Sequence, residues 1–313
     1  MTGRKNATAL SKWTGIAMPL LMVSMICSLA MGAGAEWQNA AKRGKASKQE
    51  SDAAPSFAPL ETWKTALLLG NTAALRALYS SEPPAISVTP KGESRDAAAE
   101  PSFWAAVRAA GLLRLSIKII RVDAPQPGIQ RVVFTLEATI GPNAGPRKLF
   151  ASMAQYWLQQ NGKWLIVATQ RTNLARLPQP IAPKPGLYPD PSEAHTDIGV
   201  ALAAAARNHR RVILDFGGNW CYDCHVLDAA FHLPAIARIL ERNYIIVQIN
   251  IGEYDKNLDL VQKYQIPLKK GVPVLAVLDS GGHLLVSQKQ ADFENTSKVE
   301  PRDIENFLER WKP

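Results

Sequence analysis

Cysteine is scarce in this chain. Three stand among 313 residues: Cys27, Cys221 and Cys224. A small disulfide-stapled scaffold would carry more, so cross-links do not hold this fold together. Metal-ligand spacing is scarce too. There is no second C-x-x-C and no H-x₃₋₅-H pair, and His195, His209, His225, His232 and His283 are scattered. A four-ligand zinc site is therefore short of ligands. A dense Lys/Arg stripe interleaved with aromatics is also missing. The formal net charge of +9 falls to +6 without the first 35 residues. That excess reads as a solvated basic surface, and no nucleic-acid partner is expected. Internal repeats are absent.

What is present begins with an address. Arg4, Lys5 and Lys12 form a positive start, an apolar run follows from Ile16 to Met31, and Ala33-Gly34-Ala35 supplies small residues at both positions of an A-x-A site. This is the pattern of a secretory signal peptide cut after Ala35, which implies a periplasmic or extracellular protein. The alternative is an uncleaved anchor that leaves the domains outside, and only then is a membrane contact expected. Cys27 does not make a lipobox, because Ile26 before it is not small. Cleavage leaves Cys221 and Cys224 alone, within G-G-N-W-C-Y-D-C-H.

Two stretches break the remaining chain. Residues 36–56 lack apolar periodicity and read as a flexible linker. Residues 177–196 hold six prolines between Pro178 and Pro191 and read as a semi-extended spacer outside any core. Two domains follow, 57–176 and 197–313. The first starts helical, with Leu60, Trp63, Leu67 and Leu68 at helical spacing and an Asn71-Thr72 cap before Leu75, Leu78 and Tyr79. Residues 81–101 read as a loop. The period then becomes two. Leu113, Leu115, Ile117 and Ile119 alternate with polar residues, as do Phe134, Leu136 and Ala138. Two further strands are joined by Asn161-Gly162, the strongest local hairpin signal. Helices followed by long antiparallel strands predict an α+β domain with a curved sheet.

That order resembles the SnoaL-like, or nuclear-transport-factor-like, cone fold over about residues 57–176. The residues that carry the resemblance are L-E-T-W-K-T-A-L-L-L-G-N-T-A-A-L-R-A-L-Y and G-K-W-L-I-V-A-T. Such folds host enzymes, ligand binders and dimerisation modules, so a dimer through this domain is one expectation. Trp104, Tyr156 and Trp157 read as core aromatics, with a pocket lining as the alternative.

From Asp197 onward the pattern alternates helix and strand and ends in a hairpin and an amphipathic helix. Residues 197–313 resemble a thioredoxin domain of the thiol:disulfide interchange type. Three features carry the resemblance: W-C-Y-D-C at a strand-to-helix junction, Asp215 six residues before Cys221, and Pro273 in G-V-P-V before the next-to-last strand. The resemblance implies a redox disulfide between Cys221 and Cys224, a buried acid at Asp215 and a cis bond at Val272–Pro273. It also implies a substrate groove formed by Trp220, Val272 and Pro273. The chain departs from the family in three places. Gly217-Gly218 stand where Trp-Ala is common, which removes one wall of the site. Tyr222-Asp223 replace Gly-Pro and put a negative charge beside the sulfurs, which His225 offsets if protonated. Val274 stands where Thr is frequent.

The chemistry has its own logic. A thiolate is the reactive form of cysteine, and a free thiol is mostly protonated at pH 7. A helix start aims unpaired N–H groups at Cys221 and favours its thiolate. Cys224, one turn on, resolves the mixed disulfide, and Asp215 takes and returns its proton. This reading needs no cofactor beyond the cysteines. Its partners are protein thiols and disulfides and a redox partner that recharges the pair. Two alternatives stay open. C-Y-D-C-H satisfies the string for c-type haem attachment, although a haem usually takes a second axial ligand such as Met, and Met153 is the one methionine after Ala35. The other alternative is a ligand-binding or dimerisation protein whose dithiol serves only as a sensor.

Overall fold

The structure is a computed structural model that describes residues 55–88, 94–141 and 145–313. The expected leader, Cys27 and nearly all of the first linker lie outside the described residues. Among the described residues, no helix is long and apolar enough to cross a membrane. The protein has two domains, an N-terminal α+β domain and a C-terminal α/β domain, each with its own sheet.

The N-terminal part opens with α1 (Ala58–Leu68), whose apolar spacing buries Leu60, Trp63, Ala66 and Leu67. The Asn71 side chain caps α2 (Thr72–Arg76) by accepting from the Ala74 N–H at 2.9 Å. This helix stops at Arg76, short of its expected end at Tyr79, and Tyr79 instead bridges Ile166. The expected loop 81–101 holds more structure than its composition suggests. It contains β1 (Ile86–Val88) and β2 (Ser94–Asp96), and α3 (Ala99–Ala109) begins before its end. Three-residue strands are too short to display a period.

Four long strands follow, β3 (Leu112–Gln126), β4 (Ile129–Ile140), β5 (Arg147–Gln160) and β6 (Lys163–Arg171). The sheet order is β2-β1-β6-β5-β4-β3, and β1 joins β6 in parallel. Strand β4 keeps its alternation, with Val132, Phe134, Leu136, Ala138 and Ile140 buried. Strand β3 keeps it from Leu115 on, with Ile117 and Ile119 more buried than Ser116 and Lys118, but not at its start, where Leu112 is buried and Leu113 exposed. Trp104, Tyr156 and Trp157 are core residues, and Trp104 stacks edge-on against Trp63 at 5.3 Å between ring centres.

Asn161 and Gly162 both take positive φ, 51° and 75°, which suits a two-residue hairpin between β5 and β6. A Cβ at Gly162 meets nothing within 4 Å, so the backbone angle alone demands glycine there. Gly162→Ala is expected to cost roughly 1 kcal/mol. A urea titration followed by tryptophan fluorescence reads this as a lower midpoint, and an unchanged midpoint would show that the turn tolerates a side chain.

The C-terminal domain is built on the sheet order β10-β9-β7-β8. Helix α4 (Ala194–Asn208) leads into β7 (Arg211–Gly217), and α5 (Tyr222–Phe231) and α6 (Pro234–Asn243) cross over to β8 (Tyr244–Asn250). Helix α7 (Leu258–Lys263) precedes β9 (Val274–Leu278) and β10 (Leu284–Ser287), and α8 (Pro301–Arg310) closes the chain. Strand β7 lies between β8, to which it runs parallel, and β9, to which it runs antiparallel. It is therefore covered on both edges and both faces. Val212, Leu214 and Phe216 enter one apolar cluster with α4 and α7. Ile213 enters the other with α5, α6 and α8. The end of β7 is thus a fixed platform, and the cysteine helix starts five residues beyond it.

The proline-rich segment is not a free spacer. Leu177 is buried in the cluster of α5, α6 and α8, and Leu187 and Tyr188 are buried in the other. Proline lacks an N–H, so this segment offers the domain mostly carbonyls, and the domain answers with side-chain donors. Asn219 Nδ2 donates to Tyr188 O at 2.8 Å, Asn250 Nδ2 to Pro189 O at 2.8 Å, and Asn257 Nδ2 to Pro191 O at 3.0 Å. The Tyr222 hydroxyl donates to Pro180 O at 3.1 Å. Residues 171–313 fall together in one compact unit.

Candidate active site: a cysteine pair at a helix start

Cys221 is the N-cap of α5, and its extended backbone (φ −80°, ψ 105°) turns the chain from loop into helix. Its sulfur accepts the Cys224 N–H at 3.1 Å. Cys221 and Cys224 are joined as a disulfide, with Cα atoms 5.3 Å apart. Cys221 is 5% exposed and Cys224 is fully buried. When the pair is reduced, the first-turn N–H groups and the positive end of the helix face Cys221 Sγ and favour its thiolate. The Val272–Pro273 peptide is cis, and the Val272 carbonyl oxygen lies 3.6 Å from Cys221 Sγ. Pro273 is buried directly before β9. Trp220 is 44% exposed, donates its indole N–H to Gly252 O at 2.7 Å, and tilts against Tyr254 at 5.2 Å between ring centres. These residues form one rim around Cys221.

Asp215 stands beneath. It is 1% exposed on β7, paired in register with Gln248 and Leu275. Burial drives its carboxyl pKa up to about 7. The nearby Tyr188 phenol pulls it down, and the charge of Asp228 adds to the rise. Asp228 sits one turn beyond Cys224 on α5, with Lys184 Nζ at 3.6 Å from its carboxylate. The Tyr188 phenol is itself held well above its ordinary pKa, by burial first and by Asp215 second. Tyr188 Oη and Asp215 Oδ1 do not meet as a hydrogen bond of regular geometry, so their attraction is electrostatic.

Gly217 and Gly218 do not leave the site open. A Cβ on Gly217 would stand 2.6 Å from the Tyr188 ring and 2.7 Å from Cys224 Sγ. A Cβ on Gly218 would stand 2.7 Å from the Trp220 indole nitrogen. The missing wall is thus filled from elsewhere, by Tyr188 from the proline-rich segment and by Trp220 folding back. Glycine is required because those rings already occupy the space.

Two further expectations change. His225 does not stand ready to offset a charge beside the sulfurs. It is 2% exposed, its Nδ1 accepts the Lys184 N–H at 3.2 Å, and its Nε2 lies 2.9 Å from the Asn219 carbonyl oxygen. With Nδ1 taken up as an acceptor, Nε2 is the nitrogen that can donate, to that carbonyl. The ring ties the proline-rich segment to the active-site loop and leaves no ring nitrogen for an axial haem bond. Asp223 turns away from the sulfurs, its carboxylate accepting the Thr296 N–H at 2.9 Å and the Thr296 hydroxyl. Among the described residues, no group of three or more His, Cys, Asp or Glu could hold a metal ion.

Sequence reasoning named Cys221, Cys224, Asp215, Trp220, Val272 and Pro273, and the structure brings all six to one end of the four-stranded sheet. It missed Tyr188, Asn219, Asp228 and Tyr254. Only Asp228 left a signal, since four residues after Cys224 is the same helix face.

The thioredoxin-like family model matches residues 193–280. Among solved structures, a disulphide isomerase from Xylella fastidiosa is 31% identical over 40% of this chain and 95% of its own, with a TM-score of 0.38. A putative calcium/calmodulin dependent protein kinase II association domain from Xanthomonas campestris is 19% identical over 41% of this chain and 96% of its own, with a TM-score of 0.31. An NTF-2 like protein from Shewanella oneidensis is 14% identical over 36% of this chain and 93% of its own, with a TM-score of 0.28. No curated protein matches the sequence. The C-terminal domain belongs to the thioredoxin-like family, and its cysteine pair sits at disulfide distance.

The raised pKa of Asp215 makes a signed prediction about stability. Between about pH 4 and about pH 7 the unfolded chain releases this proton before the folded one does. The Asp215 contribution is therefore intact below about pH 4, falls as pH rises toward the folded value and is fully lost above about pH 7. Asp215→Asn is expected to raise the melting temperature of the oxidised protein at pH 8 and to change it little at about pH 4. Equal effects at both values would mean that Asp215 is not a buried titrating acid.

Proposed function

We propose that this protein is an exported thiol:disulfide oxidoreductase that exchanges the Cys221–Cys224 dithiol with disulfides in protein substrates. The observation that carries this reading is a cysteine pair at a helix start, with the cis Val272–Pro273 backbone beside the outer sulfur and a buried acid two residues before the glycine that the inner one crowds. The Cys221 Sγ thiolate attacks one sulfur of a substrate disulfide, the substrate S–S bond breaks, its other sulfur leaves as a thiolate, and a mixed disulfide forms on Cys221. Cys224 then loses its proton to Asp215 and attacks Cys221 Sγ. The Cys221–substrate bond breaks, and the substrate sulfur leaves with the electron pair. The substrate disulfide is reduced and the protein pair is oxidised, and the direction in the cell follows from the partner that recharges it.

The substrate groove in this proposal is made by Trp220 and Tyr254 on one side and the Val272–Pro273 backbone on the other. An extended substrate segment adds to the Val272 main chain as a strand, and the exposed aromatic rims hold its apolar side chains. Tyr222, 42% exposed beside Cys221, widens that rim.

Insulin reduction with dithiothreitol tests the activity. The full chain is expected to accelerate precipitation of the insulin chains, and Cys221→Ser to abolish that acceleration. Cys224→Ser is expected to trap a mixed disulfide that migrates as a covalent adduct on a non-reducing gel. Equal rates for the wild type and Cys221→Ser would refute the reading. Export has its own test. Intact mass of the secreted protein is expected to place the new N-terminus at Glu36, and a mass that retains the first 35 residues would favour the anchor instead.

A further inference from the structure

At the redox centre the thiol chemistry leaves one buried group unused, the hydroxyl of Tyr188. This side chain comes from a segment that the family match does not include, since the match begins at residue 193. It is 1% exposed, and its Oη has no hydrogen bond of regular geometry in the oxidised protein. A buried hydroxyl without a partner costs stability, and native structures keep few of them. Its position explains what it waits for. The phenol oxygen and Cys224 Sγ crowd the same face of Gly217. A side chain there would strike the ring at 2.6 Å, the phenol oxygen closer still, and the sulfur at 2.7 Å. Asp215 completes the group, two residues before Gly217 on β7.

The segment is held so that this contact cannot drift. Tyr188 N donates to Asn219 Oδ1 at 3.0 Å, and Asn219 Nδ2 donates back to Tyr188 O at 2.8 Å. Asn219 itself lies in the loop that leads into Cys221. The same loop and the same segment are joined a second time through His225, which receives the Lys184 N–H and meets the Asn219 carbonyl. The charged and titratable groups around the phenol are Asp215 on β7, Asp228 on α5, and Lys184, which pairs with Asp228. Both acids are negative when ionised, and no cation other than Lys184 is described against them. A neutral donor is what the site otherwise lacks.

We propose that the Tyr188 hydroxyl is a positioning residue of the dithiol, shared as a donor between the Asp215 carboxylate and the Cys224 thiolate. This rests on the oxidoreductase reading for its purpose, but not for its chemistry. During resolution the Cys224 proton moves to Asp215, so the negative charge passes from carboxylate to sulfur. The S–S bond between Cys224 and Cys221 forms, the bond from Cys221 to the attached group breaks, and that group leaves as a thiolate. The phenol keeps its own proton throughout, because burial and the neighbouring acid hold its pKa well above 10. It turns its O–H toward whichever neighbour carries the charge. In the oxidised protein neither sulfur can be charged, and the hydroxyl keeps only its attraction to Asp215, short of a bond of regular geometry.

The test uses Tyr188→Phe in the full chain, which removes one oxygen and keeps the ring that fills the wall. The reduced protein is mixed with excess dithiobis-nitrobenzoate, whose coloured thiolate is released twice, first by Cys221 attack and then by Cys224 resolution. The first phase is expected to match the wild type, which also reports an intact site. The second phase is expected to slow about tenfold near pH 6.5 and to move its pH midpoint up by about one unit, since one unit is a factor of ten. A merely structural role would not move that midpoint. If Tyr188→Phe loses the wild-type melting curve, Tyr188→Met, a flexible apolar filler without the hydroxyl, gives the same comparison. A second phase superposable on the wild type at every pH overturns the proposal. Colour release needs only the two thiols, so it proceeds even if insulin is not reduced, and the two readings fail in different experiments.

Discussion

A carboxyl group with almost no water around it governs the active end of the C-terminal domain. Asp215 sits on a strand enclosed by two others, and burial above all, with the charge of Asp228 added and the Tyr188 phenol opposing, moves its pKa from 3.8 to about 7. A group in that state cannot stand next to arbitrary neighbours, because its charge is poorly solvated. The polar groups that act on it come from two places: Tyr188 from the segment before α4 and Asp228 from the cysteine helix, the latter paired with Lys184 of that same segment. The two glycines after Phe216 let the main chain pass under the rings that fill this space. Strand, helix start and segment are each arranged with respect to that one acid.

Much of the C-terminal domain was legible because its signals are local. A run such as V-I-L-D-F marks a buried strand, and a C-x-x-C directly after it marks a helix start. An acid inside an apolar run is costly in solvent-free surroundings, so it draws attention. The Asn161-Gly162 turn was legible for the same reason, since few residue pairs tolerate two positive φ angles. What failed was either very short or very distant. Strands β1 and β2 are too brief to show alternation. Helix α2 ends early because Tyr79 is taken up by a bridge to Ile166, a partner 87 positions away that no local pattern discloses.

Composition misled most at the prolines. A segment with six prolines reads as a spacer because proline gives no N–H and breaks both ladders. That argument concerns what the segment can donate. It overlooks what the segment can accept, and three asparagine amides and a tyrosine hydroxyl of the domain donate to its carbonyls. The same blindness produced the open wall at Gly217 and Gly218. Reading the two glycines alone gives a gap, whereas the side chains that close it stand 29 residues upstream and two residues downstream of them. His225 is the converse case. Its place in C-Y-D-C-H suggested chemistry, yet its ring is a strut between two loops.

The buried anchors of the proline-rich segment change where this domain starts. A boundary drawn at residue 193, where the family match begins, would leave out Leu177, Leu187 and Tyr188. A fragment cut there would keep every strand and helix of the thioredoxin-like unit and still be incomplete. It would expose two apolar hollows, and water would reach the acid that the intact chain keeps dry. In this protein the unit of folding extends past the unit of sequence similarity by about sixteen residues on its N-terminal side, and the excess is what seals the redox centre.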